Sequence, residues 1–155
     1  MDDVQGLLSF WDDSDVMKFL GDGTWGGGEE VVKAFLLKNI SFYETHPGLG
    51  SWTVVDQATQ EIAGEASLGL LTETGEFEAG YILSRSYWGR GLGTELLKGL
   101  LAYGFSKLSL NHIVAVTHPD NAASIRVMEK CGMTFVGKVL NDGVWVSKYS
   151  IMSAR

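Results

Sequence analysis

The stretch Trp88-Gly89-Arg90-Gly91-Leu92-Gly93-Thr94 carries glycine at alternate positions, directly ahead of a run that reads as a helix. A turn of this kind, where a strand hands over to a helix, points several backbone N–H groups at one spot beside the positive end of the helix dipole. The chemistry it suits is the holding of a phosphate group. Glycine is needed there because a Cβ would block close approach. A tight strand-to-helix turn without a ligand would use the same residues.

Three phosphate ligands compete for such a loop. A P-loop requires Gly-x-x-x-x-Gly-Lys-Ser/Thr, and the chain contains no such string. A dinucleotide loop requires Gly-x-Gly-x-x-Gly, and here Gly93 falls one place early. Asp120 could mimic a ribose-binding acid, but only one βαβ unit is readable and the loop lies in mid-chain. The third ligand is the pyrophosphate of coenzyme A. A second string bears on it: Asn121-Ala122-Ala123-Ser124, followed by Glu129-Lys130-Cys131-Gly132.

These residues need elements to position them. Leu7, Leu8 and Trp11, then Val16, Met17, Phe19 and Leu20, predict helical pieces near the start, parted by Asp12-Asp13-Ser14-Asp15, one of which caps the second piece. Residues 21–28 read as a glycine-rich link. Helical spacing returns over 29–43, with Glu29 and Glu30 suited to the first turn. Strands are predicted at 52–55, 62–71 and 77–83, with short links that imply an antiparallel meander. Gly64 and Gly69 weaken the second strand or mark bulges. After the glycine turn, Leu96, Leu97, Leu100, Leu101, Phe105 and Leu108 trace one face of a helix. Ile113-Val114-Ala115-Val116 is apolar on both sides, as in a buried strand flanked by helices, and strand–helix–strand implies a parallel pair. Asp120 or Asn121 caps a further helix that Gly132 ends. Two closing strands, at 134–140 and 144–152, join through Asn141-Asp142-Gly143, a hairpin signal.

The 155 residues predict a single α/β domain over 1–155. No apolar run approaches bilayer length, so no membrane partner is expected. The acidic start Met1-Asp2-Asp3 lacks the basic region of a signal peptide. A single cysteine, Cys131, excludes an internal disulfide, and together these features point to the cytoplasm. With three scattered histidines, no metal site is expected. The net charge of −7 argues against nucleic acid as a partner and is compatible with a cationic substrate such as an amine.

The loop and the Asn-Ser helix together resemble the GNAT acetyltransferases. Gly91-Leu92-Gly93 matches the glycine half of that family's Gln/Arg-x-x-Gly-x-Gly/Ala loop, while Trp88 departs from Gln/Arg. Trp-Gly-Arg-Gly, Asn121-x-x-Ser124-x-x-x-x-Glu129-Lys130-x-Gly132 and Asp142-Gly143-Val144-Trp145 with Tyr149 look like the branch that includes ribosomal-protein N-terminal acetyltransferases. The resemblance implies acetyl-CoA as co-substrate and a mixed central sheet whose parallel pair splays open through a bulge. The chain starts inside the family's first helix and lacks its usual first strand. A bare sheet edge and a homodimer are the expectation that follows.

The resemblance also implies site residues. Trp88, Gly89, Arg90, Gly91, Leu92, Gly93 and Thr94 would hold the pyrophosphate. The strand at 79–84 would pair with the pantetheine arm, and main-chain N–H groups near Ile82 or Leu83 would polarise the acetyl carbonyl. Asn121 would contact the arm, and Ser124 would assist the departing thiolate. Many members place an acidic Tyr where this chain has Met128. The amine must lose a proton, and Glu78, Glu65 and His118 are the candidate bases. Trp25, Tyr43, Trp52, Tyr87, Trp88 and Trp145 are candidates for walls of an acceptor pocket. Three functions follow: N-terminal acetylation of a ribosomal-type protein, acetylation of a polyamine or aminoglycoside, and coenzyme A binding without turnover.

Overall fold

The computed structural model describes residues 2–21, 23 and 26–154, so Trp25 lies outside the described residues. Helix α1 (Val4–Trp11) is followed by the short α2 (Ser14–Met17). Asp13 caps α2, its carboxylate accepting from Asp15 N–H at 3.0 Å. Helix α3 (Gly28–Thr45) begins at the end of the glycine-rich stretch, with Glu29 and Glu30 in its first turn. The meander is β1 (Gly50–Val55), β2 (Ile62–Leu70) and β3 (Phe77–Leu83). A 3-10 turn at Arg85–Tyr87 leads to α4 (Leu92–Ser106), then β4 (His112–Thr117) and α5 (Ala122–Lys130). The hairpin of β5 (Thr134–Asn141) and β6 (Val144–Met152) closes the chain, with positive φ at both Asp142 and Gly143, as the tight turn requires.

The six strands form one sheet in the order β1-β2-β3-β4-β6-β5. Among the described residues, only β3 and β4 run parallel. Side-chain alternation divides the sheet into two faces. Ala66, Leu68, Ala79, Ile113, Ala115 and Tyr149 join Leu97, Leu100, Leu101 and Met128 in the core under α4 and α5. On the opposite face Ile62 and Ile82 meet Leu7, Phe10, Trp11, Met17 and Val32 of α1, α2 and α3. Leu7 and Phe10 are each 1% exposed, and burial of such a side chain contributes roughly 1.5–3 kcal/mol.

The bulges are where sequence expectation and structure part at one place and agree at another. β2 passes Gly69 in register, but beside Gly64 its pairing with β1 slips: Val54 faces Gly64 and Val55 faces Ile62, which leaves Ala63 of β2 as an extra residue at the position where a bulge was expected. Gly64 also answers a close approach, because a Cβ there would stand 2.1 Å from the Ile82 carbonyl oxygen. No bulge splays β3, which stays in unbroken register with β2 from Phe77 to Leu83. Among the described residues, no helix is long and apolar enough to cross a membrane.

Candidate active site

β3 and β4 share the single bridge Glu78–Val114. Residues 79–83 of β3 and 115–117 of β4 lie beyond it without pairing, so the strands leave a gap toward their C-terminal ends. Ser84 N–H donates to Ala63 O at 2.8 Å. By the alternation of an antiparallel ladder, Ile82 then turns its main-chain groups toward β2, and Leu83, Tyr81 and Ala79 turn theirs toward the gap. The Ile82 side chain packs with the α1–α3 cluster, and Leu83 with Ala63 and Tyr87.

At the open end of the gap stands the glycine loop. Gly89 and Gly91 have φ of 71° and 75°, a left-handed conformation that glycine adopts without steric cost. A Cβ on either would meet nothing within 4 Å, so both face open space. Gly91 is the N-cap of α4 and offers no side chain to the helix. The first-turn N–H groups of Leu92, Gly93 and Thr94 are thus left to an anion, with the helix dipole behind them. Gly93 has a different reason to be glycine: a Cβ there would lie 2.9 Å from the Tyr81 hydroxyl.

The loop is braced on both flanks. Trp88 Nε1 donates to Leu83 O at 2.9 Å, which folds the indole back onto the end of β3. Arg90 lies over the Tyr87 ring at 4.9 Å, and Tyr87 Oη donates to Asp56 at 3.1 Å. Arg85 pairs with Asp13 and Asp15, tying the 3-10 turn to α2. The Arg85 guanidinium holds the Asp13 carboxyl below the usual carboxylate range. These geometries fit a pyrophosphate: open, glycine-lined, rich in N–H donors, with a guanidinium beside it.

The three carboxylate and imidazole candidates separate. Glu78 stands at the root of the gap and is half-buried. Burial pushes its carboxyl up to about 7, with the charges of Asp142 and Glu73 adding to the effect. Asp142 is near because its N–H donates to Glu73 at 3.0 Å, tying the β5–β6 turn to the β2–β3 turn. Glu65 is one strand away, paired with Thr53 and Ile82. It is buried, accepts from Ser51 Oγ, and is held by Trp11. Burial raises its pKa, and the two donors oppose the rise. His118 follows β4, with Nδ1 accepting from Asp120 N–H and the ring stacked on Phe19 at 5.4 Å. It lies four residues beyond Val114, roughly 13 Å along an extended strand from the level of Glu78.

On the far wall, Asn121 caps α5, its Oδ1 accepting from Ser124 N–H at 3.3 Å. Ser124 lies in the first turn of that helix, so its hydroxyl is close to a second positive helix end. Burial raises the pKa of the Tyr81 phenol on β3, and the nearby Ser124 opposes the rise. Nothing in the residue pattern marks out Tyr81, because in a strand it reads as one more apolar residue. Cys131 Sγ is directed at Thr94 O at 3.8 Å, and burial pushes the thiol up. Of the aromatic candidates, Tyr43 and Trp52 line a cleft of about 490 Å³ on the other flank of α4. Tyr87 is buried and Trp145 exposed on the β6 strand. Phe10, Trp11 and Phe35 are instead the aromatics of the cluster on the face that Glu78 shares, with Trp11 and Phe35 4.9 Å apart.

A family model described as acetyltransferase (GNAT) domain matches residues 1–134. The chain is 26% identical over 129 residues to an uncharacterized N-acetyltransferase, p20, of Bacillus licheniformis, across 83% of this chain and 71% of that one. A solved acetyltransferase of the GNAT family from Bacillus anthracis is 25% identical, with a TM-score of 0.79 over 97% of this chain and 89% of that one. RimL, a ribosomal L7/L12 alpha-N-protein acetyltransferase solved with coenzyme A, shares the fold at a TM-score of 0.79, with 19% identity over 97% of this chain and 89% of that one.

Proposed function

Because the chain belongs to the GNAT acetyltransferase family and is an acetyl-CoA-dependent N-acetyltransferase, we propose that its acceptor is the α-amino group of a protein N-terminus, of the ribosomal-protein type. The observation that carries this reading is Glu78, a half-buried carboxylate at the root of the gap with a pKa of about 7. An α-amino group titrates near ~8 and a side-chain amine near ~10. A base at about 7 is well matched to the first and poorly to the second. The name of RimL, an N-terminal acetyltransferase of this fold, agrees with the choice.

Acetyl-CoA supplies the acetyl group as a thioester. The N–H groups of Leu92, Gly93 and Thr94 and the turn from Trp88 to Gly91 hold its pyrophosphate, with Arg90 at the side. The main-chain groups of Tyr81 and the N–H of Leu83, which face the gap, bond to the extended arm as to an added strand. Leu83 N–H polarises the acetyl carbonyl. Asn121 holds the first turn of α5 in place beside the arm, and Ser124 faces the departing sulfur. Glu78 takes the proton of the incoming amine, directly or through one water. Glu73 and Asp142 add negative charge around it and favour an acceptor that arrives as a cation. Glu65, covered by Trp11, and His118, stacked on Phe19, hold the walls.

Those same acids favour a second reading, a polyamine or aminoglycoside acceptor. Free thiol release from acetyl-CoA, measured with N-terminal peptides, polyamines, aminoglycosides and an amine-free control, tests both. Release driven by peptides is the expected result. Release driven only by the small polycations overturns the N-terminal reading. Coenzyme binding with no release for any amine assigns the domain to binding without turnover.

A further inference from the structure

Tyr43 and Trp52 stand away from the gap, in the cleft of about 490 Å³ between α4 and the outer strands. Trp52 of β1 and Ala66 of β2 are direct partners across the sheet and form its floor. All of β3 lies between this floor and the gap before β4. Glu95, Gly99 and Tyr103 follow one another at turn spacing along α4 and form the facing wall. Tyr43 reaches in from the last turn of α3. The volume lies within the range of small-molecule sites. The aromatic walls are fixed in place. Tyr103 Oη donates to Gly48 O at 3.0 Å, and its ring meets Trp52 nearly at right angles, with centroids 5.8 Å apart and 81° between the planes. The Tyr43 ring closes on the start of β1, where a Cβ on Gly50 would stand 3.4 Å from its Cδ2.

Two residues of the lining point to a ligand. Gly99 sits in mid-helix, where glycine costs roughly 1 kcal/mol relative to alanine. No packing requires it, because a Cβ there would meet nothing within 4 Å. Its effect is to hold the cleft open. Glu95 supplies the one charge of the lining, and no hydrogen bond or ion pair among the described residues engages its carboxylate. We propose that this cleft binds an organic cation: an ammonium group pairs with Glu95 and lies against the rings of Trp52, Tyr43 and Tyr103, while an apolar body rests on Ala66 and Gly99. Aromatic rings attract a cation through their quadrupoles, and the carboxylate adds a point charge of the right sign. An anion would face Glu95, and a neutral molecule would leave that carboxylate without a partner. The site does not depend on which amine the gap acetylates.

The test is a titration of the full chain with benzyltrimethylammonium, followed by NMR of the backbone amides and the indole N–H groups. This quaternary ion has no N–H to lose and cannot be acetylated, so its binding is read apart from turnover. The expected result is a saturable shift at the Trp52 indole and at the Gly99 and Tyr103 amides, with none at Glu73 and Asp142 beside Glu78. Benzyl alcohol, which keeps the ring and lacks the charge, should bind more weakly. Glu95→Gln should weaken the ammonium probe about 2- to 5-fold and leave benzyl alcohol unchanged, as for an exposed charge pair. Gly99→Leu fills the cleft and should abolish the saturable shifts. Its Tm should not fall, because leucine is the better helix former, and thermal denaturation serves as its folding control. Four results each overturn the proposal: no saturable shift in the wild type, saturation at Glu73 and Asp142 in place of the cleft, equal affinity for benzyl alcohol, or an affinity for the ammonium probe that neither variant lowers.

Discussion

Glu78 of β3 stands opposite Val114 of β4, and their bridge is the place where the parallel strands meet before the gap opens. A carboxylate fixed at that bridge cannot drift with the flanking loops. Its pKa of about 7 predicts a kcat/KM that rises with pH and levels off above that value. Glu78→Gln is expected to lose about 10²-fold or more and to lose the acid limb with it. His118→Gln keeps the limb, because His118 lies well beyond the bridge and stacks on Phe19. A Glu78→Gln enzyme whose rate still climbs through pH 7 would assign the base elsewhere.

The same carboxyl works against the fold at high pH. Unfolded, Glu78 titrates near 4.5; folded, it titrates at about 7. Below 4.5 it is protonated in both states and costs nothing. Between the two values the native state keeps a proton that the unfolded chain has lost, so this contribution to stability falls as pH rises and is gone above about 7. Glu78→Gln removes the dependence. Denaturant titrations should find it more stable than the wild type at pH 8, by on the order of 1–3 kcal/mol, and little different at pH 4. Loss of activity and gain of stability from one substitution would mark a functional rather than a structural acid.

Gly91 and Gly93 are glycines for different reasons, and alanine separates them. At Gly91 a Cβ meets no atom within 4 Å, but φ is 75°. Gly91→Ala should cost about 1–2 kcal/mol of stability from the left-handed backbone and weaken coenzyme A binding about tenfold or more, as the loop leaves its cradle shape. At Gly93 the helical φ suits alanine, but the Tyr81 ring stands in the way. Gly93→Ala must displace that ring from its place against the sheet, so its Tm should fall further than that of Gly91→Ala. Calorimetric Tm values and coenzyme A Kd values for the pair decide this. Equal Tm losses would argue that the ring yields freely.

Much of this arrangement is legible in the residues, and the illegible part has physical reasons. Periodicity places every helix and strand to within a few residues, because each buries one face and Asp13, Asn121 and Asp142-Gly143 punctuate the ends chemically. The glycine loop is legible because αL backbone is nearly a glycine monopoly. The opening of the gap is not, since β3 loses β4 without any bulge that a residue type could announce. The choice among Glu78, Glu65 and His118 depends on which strand edge each faces and what covers it, as Trp11 covers Glu65. Such contacts join residues tens of positions apart. Tyr81 escapes notice for the same reason: Gly93, whose Cβ would meet its hydroxyl, is brought to it by α4 from further along the chain.

The outer edge of the sheet supplies the last test. Asn39 of α3 presents its side-chain amide to Ser51 of β1 as a neighbouring strand would: Nδ2 donates to Ser51 O at 2.7 Å, and Ser51 N–H donates to Oδ1 at 2.9 Å. A bare β1 edge would invite a second copy, and this amide occupies part of it. Asn39→Ala leaves both half-buried backbone groups without that partner. The expected loss is about 1–3 kcal/mol, or roughly 3–9 °C in Tm for a chain of this size. Asn39→Asp can still accept from Ser51 N–H but cannot donate to Ser51 O, so it should lose more at pH 7 than at pH 4, where the protonated carboxyl regains a donor. Light scattering on the alanine variant should show growth in mass with concentration as the freed edge pairs. An Asn39→Ala protein with unchanged Tm and mass would mean that water satisfies Ser51 as well as the amide does.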